Sequence, residues 1–188
     1  MTQHAQGIFV AIEGISGSGK TEISKKLAHQ MPARWYSTPP APFNKMREEA
    51  DRKLALNSRF LFYLSSVAHA SWEIEHLLKT QSVACDKYVW STICYHTVYG
   101  LDVKDNFQHL YRKPDYVFLL VCDEEKRLQR LRARGPIKDM EKFNLRQGME
   151  RQCLVEFKKH IKHQIDNSCD EPQEAVDQIL RIIQGGQK

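Results

Sequence analysis

An apolar segment, a glycine-rich loop and a helical pattern follow one another near the start of the sequence, and they constrain the fold more than any other stretch. Residues 8–13 read IFVAIE, which is typical of a buried strand, and residues 14–21 read GISGSGKT, which fits G-x-x-x-x-G-K-T. Ile23, Leu27 and Ala28 then recur at helical spacing. A strand, this loop and a helix in that order are what a phosphate-binding loop requires. The alternative is a chance match in a glycine-rich turn, and the flanking strand and helix argue against it.

The loop predicts how a nucleoside triphosphate and its metal ion are held. Glycines allow the backbone N–H groups to surround an oxyanion, and the following helix points the positive end of its dipole at the phosphates. Lys20 can reach the β- and γ-phosphates, and the Thr21 hydroxyl can bind Mg²⁺. The residues expected to contact the nucleotide are Gly14, Ile15, Ser16, Gly17, Ser18, Gly19, Lys20 and Thr21.

The composition is that of a soluble globular chain. There are 188 residues, 41% hydrophobic and 27% charged, which fits one domain over residues 1–188. No apolar run approaches the roughly 20 residues of a membrane-spanning helix, and the first residues lack the features of a secretion signal. The five cysteines are widely spaced and include no C-x-x-C pair, so we expect reduced thiols in the cytoplasm.

The net charge of +5 allows either nucleic acid or small phosphorylated ligands as partners. The basic residues form no long run, and several gather between Lys126 and Arg134. We therefore expect a small phosphorylated ligand rather than nucleic acid.

Strand-like and helix-like segments alternate along the chain. This pattern predicts an α/β three-layer sandwich with about five parallel strands and helices on both faces of the sheet. Besides residues 8–13, the expected strands are 33–38, 82–86, 114–122 and 165–167. The expected helices are 20–30, 43–54, 59–79, 91–99, 124–134, 140–161 and 175–183. Ligands bind beyond the carboxyl ends of such strands, which brings together the loop at Gly14, residues 37–40, Asp86–Lys87 and the loop after Cys122.

Asp86 ends one of these strands and is the second candidate for catalysis. A carboxylate there can hold Mg²⁺, directly or through water, or accept a proton from the attacking group. The alternative is a helix cap or a surface ion pair with Lys87. Glu13, just before the phosphate-binding loop, is a second candidate for the metal-linked role, with a structural role as a partner of backbone groups as the alternative.

A basic helix precedes Gly135-Pro136. Arg127, Arg130 and Arg134 share one face at spacings of three and four residues. Arginines that close over a transferring phosphoryl group stabilise its charge and exclude water. We therefore expect a lid at about residues 130–142, with a solvated basic face as the alternative.

Four ordered motifs resemble those of thymidylate kinases, within the P-loop nucleoside-monophosphate kinases. Residues 12–21 resemble the phosphate-binding loop of that family, and residues 60–69 (FLFYLSSVAH) are similar to its L-L-F-A-A-D-R-x-x-H helix. Residues 86–96 (DKYVWSTICYH) resemble D-R-Y-x-x-S-x-x-A-Y-Q, and residues 130–135 resemble its R-x-R-x-R-G lid, with Asp139 and Glu141 beyond.

The resemblance implies roles for several side chains. ATP is the expected phosphoryl donor, with its adenine near the loop after Asp166. Phe62 is expected to stack on the acceptor base and Tyr95 to pack against its sugar. The lid arginines, Arg130 and Arg134, are expected to clamp the transferring phosphoryl group. The resemblance also implies a homodimer formed through long helices.

Four departures from the family motifs put the acceptor in question. The R-E-P-G segment is replaced by residues 37–40 (STPP), the base-contacting arginine is Ser66, the arginine of D-R-Y is Lys87, and the acid of the phosphate-binding loop is Ser16. Lysine keeps the charge but lacks the bidentate fork of arginine. Arg34, Arg47 and Arg59 are the candidates to replace the missing guanidinium groups.

Three functions therefore remain open at this stage. The first is transfer of phosphoryl from ATP to a nucleoside monophosphate, with Lys20 and Asp86 as catalytic residues. The second keeps the fold and phosphorylates a hydroxyl of a nucleoside or another metabolite. The third is a nucleotide-binding regulatory ATPase or an inactive nucleotide-binding protein.

Overall fold

One parallel sheet organises the computed structural model, which describes residues 7–104, 106–136 and 139–186. The described part contains five strands in the spatial order β2-β3-β1-β4-β5. They are β1 (Phe9–Glu13), β2 (Ala33–Ser37), β3 (Ser82–Asp86), β4 (Tyr116–Val121) and β5 (His163–Asp166). All four neighbouring pairs are parallel. The predicted parallel sheet is confirmed.

Helices cover both faces of this sheet. They are α1 (Lys20–Gln30), α2 (Phe43–Lys53), α3 (Leu56–Leu77), α4 (Val89–Val98), α5 (Glu124–Ala133), α6 (Asp139–Arg146), α7 (Met149–His160) and α8 (Pro172–Gly185). A short 3₁₀ helix spans Gln108–Leu110.

Strand β1 shows why its sequence is apolar throughout. Val10 and Ile12 pack with side chains of α1 and α8 on one face of the sheet. Phe9 and Ala11 pack with side chains of α3 and α4 on the other face. A central parallel strand is covered on both sides and therefore lacks the alternation of a half-exposed strand.

The long helix predicted over residues 140–161 is the main error in the secondary structure. The structure has two helices, α6 and α7, because Gly148 adopts a left-handed conformation with φ of 64° between them. Helix α8 also begins earlier than predicted, at Pro172, since proline is favoured in the first turn of a helix.

The register of the sheet fixes where the candidate residues meet. Asp86 at the end of β3 lies opposite Ile12 of β1 and Ser37 of β2. The glycine-rich loop leaves β1 at the same edge. Within residues 7–104, 106–136 and 139–186, no helix is long and apolar enough to cross a membrane.

Candidate active site

The glycine-rich loop is held closely by its neighbours. Gly19 has φ of 93°, and a Cβ atom there would lie 2.3 Å from Nδ2 of Asn167. That Nδ2 atom donates a hydrogen bond of 2.8 Å to the carbonyl of Ser18. A Cβ atom on Gly17 would lie 2.9 Å from the carbonyl oxygen of Arg127. Any larger residue at either glycine would displace the loop from its supports.

Lys20 lies inside this loop and is buried. Its Nζ donates a hydrogen bond of 2.6 Å to the carbonyl of Ile15. Burial and the positive charge of Lys87 lower the pKa of Lys20 to about 8, against the opposing effect of Asp86 and Glu150. An anionic phosphate in the loop would favour the charged amine.

Thr21 and Asp86 provide oxygen atoms at the entrance to the loop. Thr21 Oγ1 donates a hydrogen bond of 2.5 Å to Asp86 Oδ2. Asp86 Oδ1 is buried and has no hydrogen-bond partner among the described residues. The described residues contain no group of three or more His, Cys, Asp or Glu side chains that could hold a metal. The unpartnered Oδ1 of Asp86 and the nearby Thr21 hydroxyl fit Mg²⁺, which binds proteins through one or two oxygens and completes its shell with phosphate and water.

Glu13 has a structural partner for each of its oxygens. Oε1 accepts hydrogen bonds from the backbone N–H groups of Tyr88, Trp90 and Ser91 at 3.0, 3.0 and 3.2 Å. Oε2 accepts one from Ser91 Oγ at 2.5 Å. Burial raises the pKa of Glu13, and the bonds from Ser91 and Tyr88 oppose that rise. The geometry therefore favours the backbone-holding role for Glu13 over the metal-linked one.

A cavity adjoins the loop on the side of β2 and β3. Its walls come from α2, α3, α4 and α6 as well as from the loop itself. Three of the four residues predicted to bind the acceptor line it, namely Ser66, Lys87 and Tyr95, together with Ser16 of the loop. Arg47 and Arg59 also line it, whereas Arg34 is exposed on β2 and does not. Two of the three candidate replacement arginines are thus at the cavity.

Phe62 was expected to stack on the acceptor base, but the structure does not place it in the cavity wall. Its ring packs edge-to-face on Phe43 and Tyr63, with centroid distances of 5.6 and 5.3 Å. The face of α3 that lines the cavity carries Arg59, Tyr63 and Ser66, at spacings of four and three residues. Phe62 is turned from that face towards α2.

Lys87 adopts an unusual backbone conformation at the edge of the sheet. Its φ is 66°, which costs a non-glycine residue about 1–3 kcal/mol. Hydrogen bonds hold it in place, from its N–H to the carbonyl of Ile12 at 3.0 Å and from Thr38 Oγ1 to its own carbonyl at 3.3 Å. Burial and the charge of Arg47 lower the pKa of the Lys87 amine.

The three arginines predicted to share one helix face have three different partners. Arg127 Nη1 donates to the carbonyl of Ser16 at 3.2 Å, within the loop. Arg130 donates to the carbonyls of Asn167 and Cys169 at 2.7 and 2.9 Å. Arg134 pairs with Glu141 at 2.7 Å. Two residues of the predicted lid, 137 and 138, lie outside the described residues.

Sequence reasoning placed Arg127 on the shared face of the basic helix but missed Glu150 and Asn167 as contributors to the site. Glu150, in the first turn of α7, is 3% exposed and accepts a hydrogen bond of 3.1 Å from the hydroxyl of Tyr95. Burial raises the pKa of Glu150, while Tyr95, Lys20 and Arg127 oppose the rise. No local pattern identifies these residues, because each reaches the loop from a distant element.

Known proteins of one family are similar in sequence to this chain. A family model described as thymidylate kinase matches residues 12–179. A probable thymidylate kinase of Methanocaldococcus jannaschii is 36% identical over 136 residues, which cover 68% of this chain and 71% of that protein. A probable thymidylate kinase of Sulfurisphaera tokodaii is 28% identical over 183 residues, which cover 93% of this chain and 95% of that protein.

Solved structures share the fold. Thymidylate kinase from Candida albicans aligns with a TM-score of 0.75 and 22% identity, over 97% of this chain and 93% of that chain. Deoxyadenosine kinase from M. mycoides aligns with a TM-score of 0.71 and 16% identity, over 93% of this chain and 98% of that chain. The predicted α/β sandwich with a phosphate-binding loop is thereby confirmed.

Proposed function

The chain belongs to the thymidylate kinase family of ATP-dependent nucleotide kinases, and we propose that it transfers the γ-phosphoryl group of ATP to the phosphate of a nucleoside monophosphate. In this proposal the donor occupies residues 14–21 and the acceptor occupies the neighbouring cavity. The acceptor is of the thymidylate type, as the names of the relatives suggest.

One observation carries the proposal: two sites suited to anions adjoin each other at the end of β3. The first is the glycine-rich loop with Lys20, and the second is the cavity with Lys87, Arg47 and Arg59 in its wall. Ser16 belongs to both, since it is part of the loop and lines the cavity. Two phosphorylated ligands placed in this way meet end to end, which is the arrangement that phosphoryl transfer requires.

The cations in the cavity also bear on the alternative in which a hydroxyl is phosphorylated. The cavity wall carries three cations, Lys87, Arg47 and Arg59, against two carboxylates, Asp51 and Glu141, and Arg47 pairs with Asp51 at 3.8 Å. An acceptor without a phosphate would leave this excess of positive charge without an anionic ligand. Charge-assisted hydrogen bonds to phosphate are among the stronger polar contacts in proteins. The cavity therefore favours a phosphorylated acceptor over a nucleoside.

The chain's residues have distinct roles in the proposed mechanism. Lys20 neutralises the β- and γ-phosphates, and Thr21 and Asp86 hold Mg²⁺. The ion, when bound, orients the triphosphate and offsets the charge that develops during transfer. Lys87 positions the acceptor phosphate. No covalent step on the protein is needed, because positioning and electrostatic stabilisation supply the catalysis.

The segment at residues 130–142 acts as the lid in this proposal. Arg134 now pairs with Glu141 near the cavity, and Arg130 braces the backbone at Asn167 and Cys169. Closing over both ligands gives Arg134 an anionic partner in the phosphoryl group and excludes water. Arg130 stays at the donor side, next to the loop.

We also propose that the protein is a cytoplasmic homodimer formed through α3. Leu61 and Trp72 lie about three turns apart on one side of that helix and are 58% and 57% exposed. A second copy would cover them. The five cysteines are all free, which suits a reducing compartment. Light scattering tests the dimer, and Trp72→Lys should give monomers if α3 forms the interface.

The test of the function is ADP release with ATP and Mg²⁺ across nucleoside monophosphates and the corresponding nucleosides. We expect release with one or more monophosphates and background release with nucleosides. Lys87→Gln should raise the KM for the monophosphate by roughly tenfold or more, since it removes a charge-assisted contact, and should leave the KM for ATP within about twofold. Activity with nucleosides that is unaffected by Lys87→Gln would instead support the hydroxyl kinase.

A further inference from the structure

Three of the residues that line the acceptor cavity carry a buried side-chain polar atom with no hydrogen-bond partner among the described residues. One is the hydroxyl of Tyr88, and the other two are Nε of Arg59, on α3, and Nε2 of His96, on α4. Buried polar atoms are nearly always hydrogen-bonded in proteins. The atoms of Arg59 and His96 beside one cavity therefore indicate that a ligand satisfies them.

The atoms of Arg59 and His96 have opposite hydrogen-bonding character. Nδ1 of His96 lies 2.7 Å from the carbonyl of Thr92, which can only accept, so Nδ1 carries the proton. Burial, together with the charge of Arg59, lowers the pKa of His96 to about 4, so the ring is neutral at physiological pH and Nε2 is an acceptor. Nε of Arg59 is always a donor.

Aromatic rings surround this donor–acceptor pair. His96 packs on Phe60, Tyr63 and Tyr99, with ring centroids 5.3, 5.8 and 5.8 Å away. The guanidinium of Arg59 lies over the ring of Tyr99 at 4.9 Å. Flat apolar walls around a few placed polar groups suit a planar heterocycle.

Arg59 and Ser66 occupy the same face of α3, seven residues or about two turns apart. Both line the cavity. Arg59 keeps its guanidinium in place by donating from Nη1 to the carbonyl of Asp51 at 3.3 Å. A guanidinium from Arg59 is thus available on the helix face where the chain has serine at position 66.

We infer that Arg59 and His96 together recognise the base of the nucleoside monophosphate. Arg59 donates one hydrogen bond and His96 accepts another, so the pair matches a base edge on which a hydrogen-bond acceptor lies next to an N–H group. This rests on the proposed function for the placement of the nucleotide. The pyrimidine ring edges of thymine and cytosine both meet the requirement, the first with O4 and N3–H and the second with N3 and its amino group. Nε of Arg59 donates to O4 of thymine or N3 of cytosine, and Nε2 of His96 accepts from the N–H group.

Binding rather than turnover provides the test, so that it does not depend on catalysis. Dissociation constants are measured by calorimetry for thymidine and deoxycytidine monophosphates and for their N3-methyl and N4,N4-dimethyl derivatives. For the parent that binds more tightly, methylation should weaken binding to the wild-type protein by roughly tenfold to a hundredfold, as expected for one lost hydrogen bond that leaves a buried partner.

Variants separate this hydrogen bond from simple steric exclusion. His96→Leu should weaken binding of the parent nucleotide by a similar factor and reduce the effect of methylation to within about threefold. His96→Gln keeps an acceptor oxygen, so it should still bind the parent nucleotide more tightly than the methylated derivative. Arg59→Ser should lose affinity, and adding Ser66→Arg should restore at least part of it by returning a guanidinium to the same helix face. Arg34→Ser, at an exposed arginine away from the cavity, is the matched control and should change nothing.

Several results would overturn the inference. The first is that methylation weakens binding equally in the wild type and in His96→Leu. The second is that Arg59→Ser binds with full affinity and has a normal unfolding temperature. The third is that neither parent nucleotide binds. Binding that follows the predicted pattern, with no phosphoryl transfer to the bound acceptor, would retain the recognition site and reject the proposed function.

Discussion

Thr21 Oγ1 donates a hydrogen bond of 2.5 Å to Asp86 Oδ2, which connects the first turn of α1 to the end of β3. The second oxygen of Asp86 has no partner among the described residues. Glu13, at the end of the adjacent strand, instead accepts four hydrogen bonds from residues 88–91. Two carboxylates at one sheet edge therefore differ in availability, and Asp86 is the one free to serve a metal ion.

Asp86→Asn should abolish most activity without unfolding the protein. The amide keeps the shape and a partner for Thr21 but loses the charge that holds Mg²⁺, so kcat should fall by roughly a hundredfold or more. The urea midpoint should stay close to that of the wild type. Near-normal kcat at saturating Mg²⁺ would remove Asp86 from the metal site.

Glu13→Ala, unlike Asp86→Asn, should lower the stability of the protein. It leaves several buried backbone N–H groups at the start of α4 without an acceptor, and it should lower the free energy of unfolding by about 3 kcal/mol. Glu13→Gln retains one acceptor oxygen and should cost less. Urea denaturation measures both, and a Glu13→Ala protein as stable as the wild type would contradict the capping role.

ATP affinity should fall as the pH rises above 8. Lys20 in the free protein has a pKa of about 8, lowered by burial and by Lys87 against the effects of Asp86, Glu150 and Glu13. Bound phosphates stabilise the protonated amine of Lys20. At a pH where the free amine is partly deprotonated, ATP binding therefore takes up protons, and the affinity falls as the pH rises; at lower pH the affinity is constant.

Calorimetry at pH 7, 8 and 9, in buffers of different ionisation enthalpy, measures both the affinity and the proton uptake. Lys87→Gln removes a charge that lowers the pKa of Lys20, so it should shift the fall in affinity to higher pH. An affinity independent of pH from 7 to 9, after correction for ATP and Mg²⁺ ionisation, would refute the assignment.

Glu150 should affect acceptor binding through Tyr95, whose hydroxyl it holds at 3.1 Å. Glu150→Leu should raise the KM for the acceptor by roughly tenfold, because the Tyr95 hydroxyl loses its partner, whereas Glu150→Gln should change it less. Since the two residues act as one unit, Tyr95→Phe should add little in the Glu150→Leu background. Additive effects in steady-state kinetics would show that Glu150 acts on the loop independently.

His96 should make stability depend on pH in a defined range. Its pKa is about 4 in the folded protein and 6.5 as the ordinary value, so the unfolded chain binds the proton first as the pH falls. His96 is therefore expected to lower stability as the pH drops from 6.5 towards 4, by at most about 1.4 kcal/mol per pH unit. In His96→Gln, the free energy of unfolding measured in urea should therefore fall less between pH 7 and pH 5 than it does in the wild type.

The sequence predicts the donor side of the site better than the acceptor side. Residues 14–21 are contiguous, so their strand, turn and helix can be recognised locally. The cavity is instead assembled from α2, α3, α4 and α6, and its residues depend on how each helix is rotated about its axis. Phe62 illustrates the limit: one position along α3 from Tyr63, it packs on Phe43 and lies outside the cavity wall.

Contacts between residues far apart in the sequence cannot be predicted from local patterns either. Asn167 follows β5 and yet bonds to the carbonyl of Ser18, 149 residues away along the chain. The break at Gly148 divided a helix whose apolar spacing continues across it. Only the packed structure determines that Glu150, after this break, reaches Tyr95.

The most direct test follows the label from γ-³²P-ATP, with Mg²⁺, into products separated by chromatography. The proposed function predicts a labelled nucleoside diphosphate from a nucleoside monophosphate, with loss of the label in Lys20→Met and Asp86→Asn. Label that appears in a nucleoside monophosphate from a nucleoside, or only in inorganic phosphate whichever acceptor is present, would contradict it.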